Sequence, residues 1–384
     1  MSNADKEGAR GRATGSPTLS RLHQLSELGQ SVWIDFLSRR MLRSGELERM
    51  MRKDAVVGVT SNPTIFEKAI SQGDAYDEQL RACLDQTDDP KEIFWRLAET
   101  DVGDACDLLR SVWDDSGGRD GYVSIEVDPN LAGDTAATIT EAQHLHQTIE
   151  RPNLYVKIPA TKAGLPAIEE MIARGRNINV TLTFSLERYA EVVEAYIRGV
   201  ERLVQAGGDP STVASVASFF VSRVDTETDR RLDVTRGHDE LKGKLAVANA
   251  KLAYQRYKEL FSGERWEQMA AKGATKQRCL WASTSTKNPA YRDVLYVEEL
   301  IGPETVNTMP EETIQAFQDH GQVALTLEQG LDEATHLFEQ LANIGIDYDD
   351  VTRVLEEEGV QKFADSFSEL LDGIRAKRGE LAAA

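Results

Sequence analysis

The 384-residue sequence predicts an α/β fold, a (β/α)8 TIM barrel with additional C-terminal helices, on three observations. Eight short β-rich runs recur along the chain, a stretch of helical period follows nearly every one, and several runs carry polar side chains on one face only. A helix after each strand implies parallel strands joined by crossovers, although an open doubly wound sheet would produce a similar string.

Taken in order, residues 1–17 are small, polar and charged without apolar periodicity, which predicts a mobile tail ahead of a single domain over residues 18–384. The strand candidates are SVWIDFL (31–37), AVVGVTS (55–61), YVSIEVD (122–128), LYVKIPA (154–160), NINVTLTF (177–184), VASVASFFV (213–221), RCLWAST (278–284) and TVNTM (305–309). After the fifth, Leu186, Tyr189, Ala190, Val193, Ile197, Val200 and Val204 recur at helical spacing, and a Gly-Gly pair followed by Asp-Pro ends the run. Residues 326–381 read as further helices beyond the eighth strand, and no low-complexity linker divides the chain.

Composition limits the partners. Lys plus Arg total 44 against 64 Asp plus Glu, a formal charge of -20, so nucleic acid and anionic membrane would be repelled at long range and an anionic ligand needs local cations. Cys83, Cys106 and Cys279 are far apart without metal-ligand spacing, as expected of reduced core thiols in a cytoplasmic protein. No run is apolar enough to span a membrane, and the N-terminus lacks the apolar core of a signal peptide.

Splitting each strand by its two-residue period gives the functional signal. Ile178, Val180 and Leu182 share one face and Asn177, Asn179, Thr181 and Thr183 the other; Ser124, Glu126 and Asp128 likewise oppose Val123, Ile125 and Val127. Asp35 falls with Trp33, and Asn62 with Thr60. Ordinary buried parallel strands are apolar on both faces, so a polar upper lumen is the simplest reason, and it favours a closed barrel. Asp35, Asn62, Glu126, Lys157, Asn179 and Thr181 then stand at the carboxyl ends of strands, where barrel enzymes place their chemistry. Lys157 is the sharpest of these, because an ammonium inside an apolar strand is costly to bury. Taken singly, each has a local reading: TSNPT a turn before a helix, Lys157 an ion-pair partner of Glu126, the Asn/Thr face a hydrogen-bonded layer. As a set they point to one pocket.

The motifs VWIDF, GVTSNPTIF, VSIEVDPNLAGDT, LYVKIPAT, NVTLTFS and ASFFVSRVD together resemble the successive strand-end motifs of the transaldolase family in its longer bacterial form, over about residues 30–310. The resemblance implies a class I aldolase barrel that moves a dihydroxyacetone unit from sedoheptulose 7-phosphate to glyceraldehyde 3-phosphate, releasing erythrose 4-phosphate and forming fructose 6-phosphate. It implies a cytoplasmic enzyme of the non-oxidative pentose phosphate pathway, monomeric or homodimeric, using no metal and no organic cofactor. By matching position, Lys157 is similar to the Schiff-base lysine and Glu126 to an acid/base that works through a water shared with Thr181. Asp35 matches the aspartate that takes the proton of the sugar C4 hydroxyl. Asn62 and Asn179 match groups that hold the hydroxyls of the three-carbon unit, Ser218 its terminal hydroxyl, and Arg223 and Lys287 the phosphate.

A Schiff-base lysine attacks as the neutral amine, yet at an ordinary pKa of about 10.4 only about 0.04% is neutral at pH 7. Burial raises that fraction, whereas ionised Glu126 and Asp35 would oppose it unless Glu126 shares a proton with its surroundings. Three positions depart from the family pattern: Lys287 where arginine is usual, with Arg292 as a substitute; Phe219 where proline is usual; and Ser222 where glycine is usual. The last two are expected to reshape the wall beside Ser218, and Arg223 has an ion pair with Asp225 as its alternative. Two other functions remain open, a fructose 6-phosphate aldolase-like lyase and a non-catalytic sugar-phosphate binding barrel. His144 and His146 point to different helix faces and suit no shared metal, residues 239–260 read as a solvated helix face, and GVTSNPT has too few glycines for a phosphate-wrapping loop.

Overall fold

The computed structural model describes residues 19–71 and 73–383; the tail expected at residues 1–17 lies outside the described residues. The eight strands are β1 (Gln30–Ile34), β2 (Val56–Val59), β3 (Tyr122–Glu126), β4 (Leu154–Pro159), β5 (Ile178–Thr183), β6 (Ser215–Phe220), β7 (Arg278–Ala282) and β8 (Thr305–Met309). They pair in parallel and in chain order into a closed barrel. Closure is made by β1 and β8, which stay in register from Gln30↔Thr305 to Ile34↔Met309, and this excludes the open sheet.

The lumen is filled at its amino end. Tyr122 and Tyr155 stack at 4.2 Å between ring centroids, and Trp33 lies 6.1 Å from Tyr155. At the first residue of β7, buried Arg278 pairs with Asp120 at 3.0 Å and donates to Ser31 Oγ at 2.9 Å. Gly58 of β2 makes room for the tryptophan, since a Cβ there would stand 2.4 Å from the Trp33 ring. With that end packed, the strands can present chemistry only at their carboxyl ends.

Outside the barrel, the helix Leu186–Gln205 forms where its periodicity predicts, capped by the Ser185 hydroxyl, which accepts from Arg188 N at 3.0 Å. Its deepest side chains include Tyr189, Val193, Tyr196 and Val200, while Leu186, Ala190 and Val204 at the stripe's edge are only partly buried. A short helix, Arg21–Glu27, precedes β1 and was not expected from the strand alternation. The helix Leu245–Leu260 corrects the expectation of a solvated face: it packs between β7 and the helix Leu331–Asn343, burying Asn249 and Lys251. Lys251 is held by Glu299 at 3.0 Å, and Asn249 donates to Phe184 O at 2.8 Å, so the buried polar groups are partnered.

The final helix, Tyr348–Ala383, runs over the carboxyl ends of the strands. Val351, Leu355, Phe363, Phe367, Leu370 and Ile374 are buried along it at helical spacing, forming one apolar stripe. Phe367 meets Phe94 edge-on at 5.4 Å. Polar anchors hold both ends: Tyr348 OH donates to Asn249 Oδ1 at 2.7 Å, Thr64 Oγ1 donates to Ser366 Oγ at 2.8 Å, and Lys377 pairs with Asp77 at 2.8 Å. Among the described residues, no helix is long and apolar enough to cross a membrane.

Candidate active site

Strand register assembles the centre of the site. Glu126 pairs with Lys157 across β3 and β4, and Lys157 pairs with Asn179 across β4 and β5, so three inward side chains lie in one row. The Lys157 ammonium donates to Glu126 Oε2 at 3.0 Å and to the Ser61 carbonyl at 3.0 Å. Both side chains are buried. Asn179 is fully buried, donates to Ser124 Oγ at 3.1 Å and accepts from Ser218 Oγ at 2.7 Å.

Beyond Val180 the β5 ladder shifts register, and Leu182 takes a left-handed φ of 58° that is costly for a branched side chain. Thr181, within this irregularity, keeps its buried hydroxyl without a protein partner among the described residues. An unpartnered buried hydroxyl facing a cavity is a ready donor and acceptor for a ligand.

Asp35 follows β1 directly, its N–H donating to Met309 O at 2.9 Å. Thr60 Oγ1 donates to Asp35 Oδ1 at 2.8 Å and lies 2.6 Å from Thr308 Oγ1. Burial pushes the Asp35 carboxyl above the ordinary carboxylate range, against the opposing pull of Lys157, the Thr60 hydrogen bond and Arg223. Burial also raises Glu126; Lys157 opposes this, and the like charge of Asp35 adds to it. A carboxyl lifted in this way can both give and take a proton.

Asn62 caps the helix Pro63–Ser71, its Oδ1 accepting from Ile65 N at 3.0 Å, so the local turn reading holds for this residue while it also faces the cavity. Arg223 opens the helix Ser222–Thr235, with its guanidinium 5.0 Å from the Phe220 ring centroid and 5.7 Å from that of Phe363. Among the described residues it makes no ion pair or hydrogen bond. Burial draws its pKa below the ordinary guanidinium value, and Asp35 and Glu126 oppose that shift. The alternative ion pair with Asp225 does not form: Asp225 instead accepts from Ala246 N at 2.7 Å and Tyr296 OH at 2.9 Å, and burial lifts it to about 7.

The cavity at the carboxyl ends measures about 770 Å³ and is lined by Asp35, Asn62, Lys157, Thr181, Ser218, Arg223 and Lys287. Two expected residues stand behind this wall. Glu126 is covered by Lys157 and borders a narrow void beside Phe94 and Phe367, and Asn179 reaches the wall through Ser218. Lys287 faces the cavity with Nζ 2.7 Å from Ser285 Oγ, whereas Arg292 is tied to Glu298 at 2.8 Å and to His320 O at 2.8 Å, away from the lining. Phe219 does not reshape the pocket, because it points outward against Tyr189 and Trp281. Ser222 does line it, 2.9 Å from Ser283 Oγ.

The residues that sequence reasoning missed come from two sources. Thr60 and Thr308 support Asp35, and the inward strand face already carried a signal for Thr60. Leu355, Gly359, Lys362 and Phe363 of the final helix form the roof, for which strand periodicity offers no signal. A second cavity of about 810 Å³ lies between the loops at Ala132 and Thr161 and the same helix, but its Arg188 is taken by Glu191 and Glu356. His146 is buried with Nε2 3.1 Å from Asn177 O and its pKa lowered to about 4 by burial, while His144 is exposed, so the two occupy different faces as expected.

Comparison with known proteins finds that residues 32–374 match a family model described as Transaldolase/Fructose-6-phosphate aldolase. A protein of Frankia alni named Transaldolase is 53% identical over 361 residues, covering 93% of this chain and 97% of that relative. Transaldolase 2 of Streptomyces coelicolor is 50% identical over 365 residues (94% and 98%), and a Transaldolase of Mycobacterium bovis is 52% identical over 359 residues (92% and 96%).

Proposed function

The chain belongs to the transaldolase/fructose-6-phosphate aldolase family, and on that premise we propose that it transfers a dihydroxyacetone unit from sedoheptulose 7-phosphate to glyceraldehyde 3-phosphate through a Schiff base on Lys157. The Lys157 amine attacks the C2 ketone, and Glu126, with a water shared with Thr181, moves the protons that turn the carbinolamine into an iminium. Asp35 then takes the C4 hydroxyl proton as the C3–C4 bond breaks. Its electrons pass to the iminium, leaving an enamine and free erythrose 4-phosphate. C3 of the enamine attacks the aldehyde of glyceraldehyde 3-phosphate, and the same proton transfers in reverse release fructose 6-phosphate.

Asn62 and Ser218, the latter oriented by Asn179, position the hydroxyls of the three-carbon unit. Arg223 and Lys287 take the phosphate, the first as a planar fork and the second as a point charge. The same reading carries a role in the non-oxidative pentose phosphate pathway, a cytoplasmic setting, a monomer or homodimer, and one domain over residues 18–384.

The observation that carries the proposal is the 3.0 Å contact of Lys157 with Glu126 at the edge of a cavity whose wall offers the Arg223 guanidinium, unpaired among the described residues. Borohydride treatment in the presence of fructose 6-phosphate, followed by peptide mass mapping, tests it. A three-carbon adduct on the Lys157 peptide is expected; no adduct, or one on another lysine, overturns the proposal. Rapid turnover of fructose 6-phosphate only with erythrose 4-phosphate present separates transfer from simple cleavage.

A further inference from the structure

We propose that Phe363, on the helix that follows the barrel, is a positioning residue that keeps the lysine-bound three-carbon unit dry and so commits it to transfer rather than release. The inference rests on the Schiff-base reading above. The Phe363 ring is buried, borders the cavity, and has its centroid 5.9 Å from Lys157 Nζ and 5.7 Å from Arg223 Cζ. One ring thus spans the space between the amine that would hold the sugar and the guanidinium that would hold its phosphate. Most of the surroundings are polar: Asp35, Thr60, Asn62, Thr181 and Ser218 line the same cavity.

The roof is built to sit close. Gly359, one turn earlier, would carry a Cβ 3.1 Å from Leu182 Cδ2, so the absence of a side chain lets the helix lie against the end of β5. Three residues past Phe363, Ser366 accepts the Thr64 hydroxyl at 2.8 Å, which ties the final helix to the helix Pro63–Ser71 that follows β2. The ring is therefore held over the site by contacts on both sides.

The chemistry gives the ring a consequence. After C3–C4 cleavage the enamine has two fates. Its C3 can form a bond to the aldehyde carbon of an acceptor, which is transfer. Alternatively C3 takes a proton and the iminium returns; water then adds to C2, the C2–N bond breaks, and free dihydroxyacetone leaves with the proton ending on the lysine amine. Both fates end with water adding to C2 of an iminium, but only the second needs a proton source near C3 to quench the enamine. An aromatic ring offers no lone pair to hold a water there, and its face favours the cationic iminium.

Full-length Phe363→Ser and Phe363→Leu variants test this, with fructose 6-phosphate supplied with and without erythrose 4-phosphate. The readout is dihydroxyacetone released per transfer event, a ratio that loss of folded protein does not move, because both fates arise from the same active molecules. Phe363→Ser is expected to raise the ratio about tenfold or more by admitting water, and Phe363→Leu to stay within about twofold of the parent. Should Phe363→Ser not fold, Phe363→Tyr carries the same expectation, since its hydroxyl brings a water-holding group to the same place. An unchanged ratio with the Lys157 adduct still trapped by borohydride overturns this inference alone, as does an equal rise in the leucine variant. No adduct in the parent protein overturns the Schiff-base reading and this inference together.

Discussion

Lys157 Nζ stands 3.0 Å from Glu126 Oε2, and the two residues face each other directly across β3 and β4. A buried pair of this kind is poor evidence of stabilisation, because desolvating both charges offsets their attraction. Its position is more informative: the ammonium borders the cavity, while the carboxyl stands behind it with a raised pKa.

Replacing Lys157 by methionine should abolish borohydride trapping and lower transfer by about 10⁵-fold or more, the scale of deleting a covalent nucleophile. Glu126→Gln should cost about 10²- to 10⁴-fold, the worth of a positioned acid/base, with the adduct on Lys157 still forming slowly. A coupled assay and peptide mapping read both effects. Transfer at normal speed in the methionine variant would sink the mechanism.

Asp35→Asn should lower transfer by about 10²- to 10⁴-fold while stabilising the fold at neutral pH. The sign follows from burial, which raises the folded-state pKa above the ordinary value of an aspartate carboxyl. Between the two values the native state holds a proton that the unfolded chain has lost, so the parent loses stability as pH rises through that window. Asparagine keeps an acceptor for Thr60 without the charge. Urea unfolding at neutral pH should show the variant ahead, and the gap should close as pH falls below the unfolded-state pKa; a less stable variant at neutral pH counts against the assignment.

Arg223→Ala should reduce kcat/KM for phosphorylated substrates by about 10- to 100-fold, the worth of a hydrogen bond to a charged group, mostly through KM. Lys287→Ala should cost less, since that side chain is exposed and screened. Arg292→Ala should leave kcat/KM unchanged, because its guanidinium is committed to Glu298. Steady-state kinetics on the three variants would expose a reversed order.

Gly58→Ala should destabilise the protein by about 1–3 kcal/mol, the usual cost of overpacking. The new methyl would lie 2.4 Å from the Trp33 ring, which is enclosed by the barrel and cannot move aside freely. Chemical denaturation measures the loss, and tryptophan fluorescence should report the displaced ring. A neutral substitution would show that the lumen has slack.

Arg39 and Asp101 form a buried pair at 2.8 Å, with Tyr76 OH donating to Asp101 Oδ2 at 2.7 Å. Asp101→Ala strands a buried guanidinium and should cost about 3–5 kcal/mol. Activity per folded molecule should be unaffected, since none of the three residues borders the cavity. A midpoint shift in denaturant without a change in kcat would meet this expectation, and an unshifted midpoint would contradict it.

Much of the site was legible because its signals are local. The two-residue alternation that put Glu126, Asn179 and Thr181 on one face is a property of any strand, and the structure brings these side chains inward. Glu126 and Asn179 nevertheless lie behind the cavity wall, which periodicity cannot distinguish from the wall itself. Nor could it choose between Lys287 and Arg292, or tell that Asp225 would accept from Ala246 and Tyr296 in place of pairing with Arg223. Each of those outcomes depends on what the neighbouring loops and helices supply.

By itself, the order of residues determined eight strand-and-helix repeats, polar inward faces on several of the strands and the lysine among them, since side-chain alternation and helical period act over only a few positions. Tertiary structure alone decided what surrounds them. Thr308 reaches Thr60 from 248 positions away, and Ser366 meets Thr64 across 302, closing a roof over the amine. Contacts at such separation arise only when the barrel closes and the last helix docks, because the free energy that selects them is burial shared among many elements.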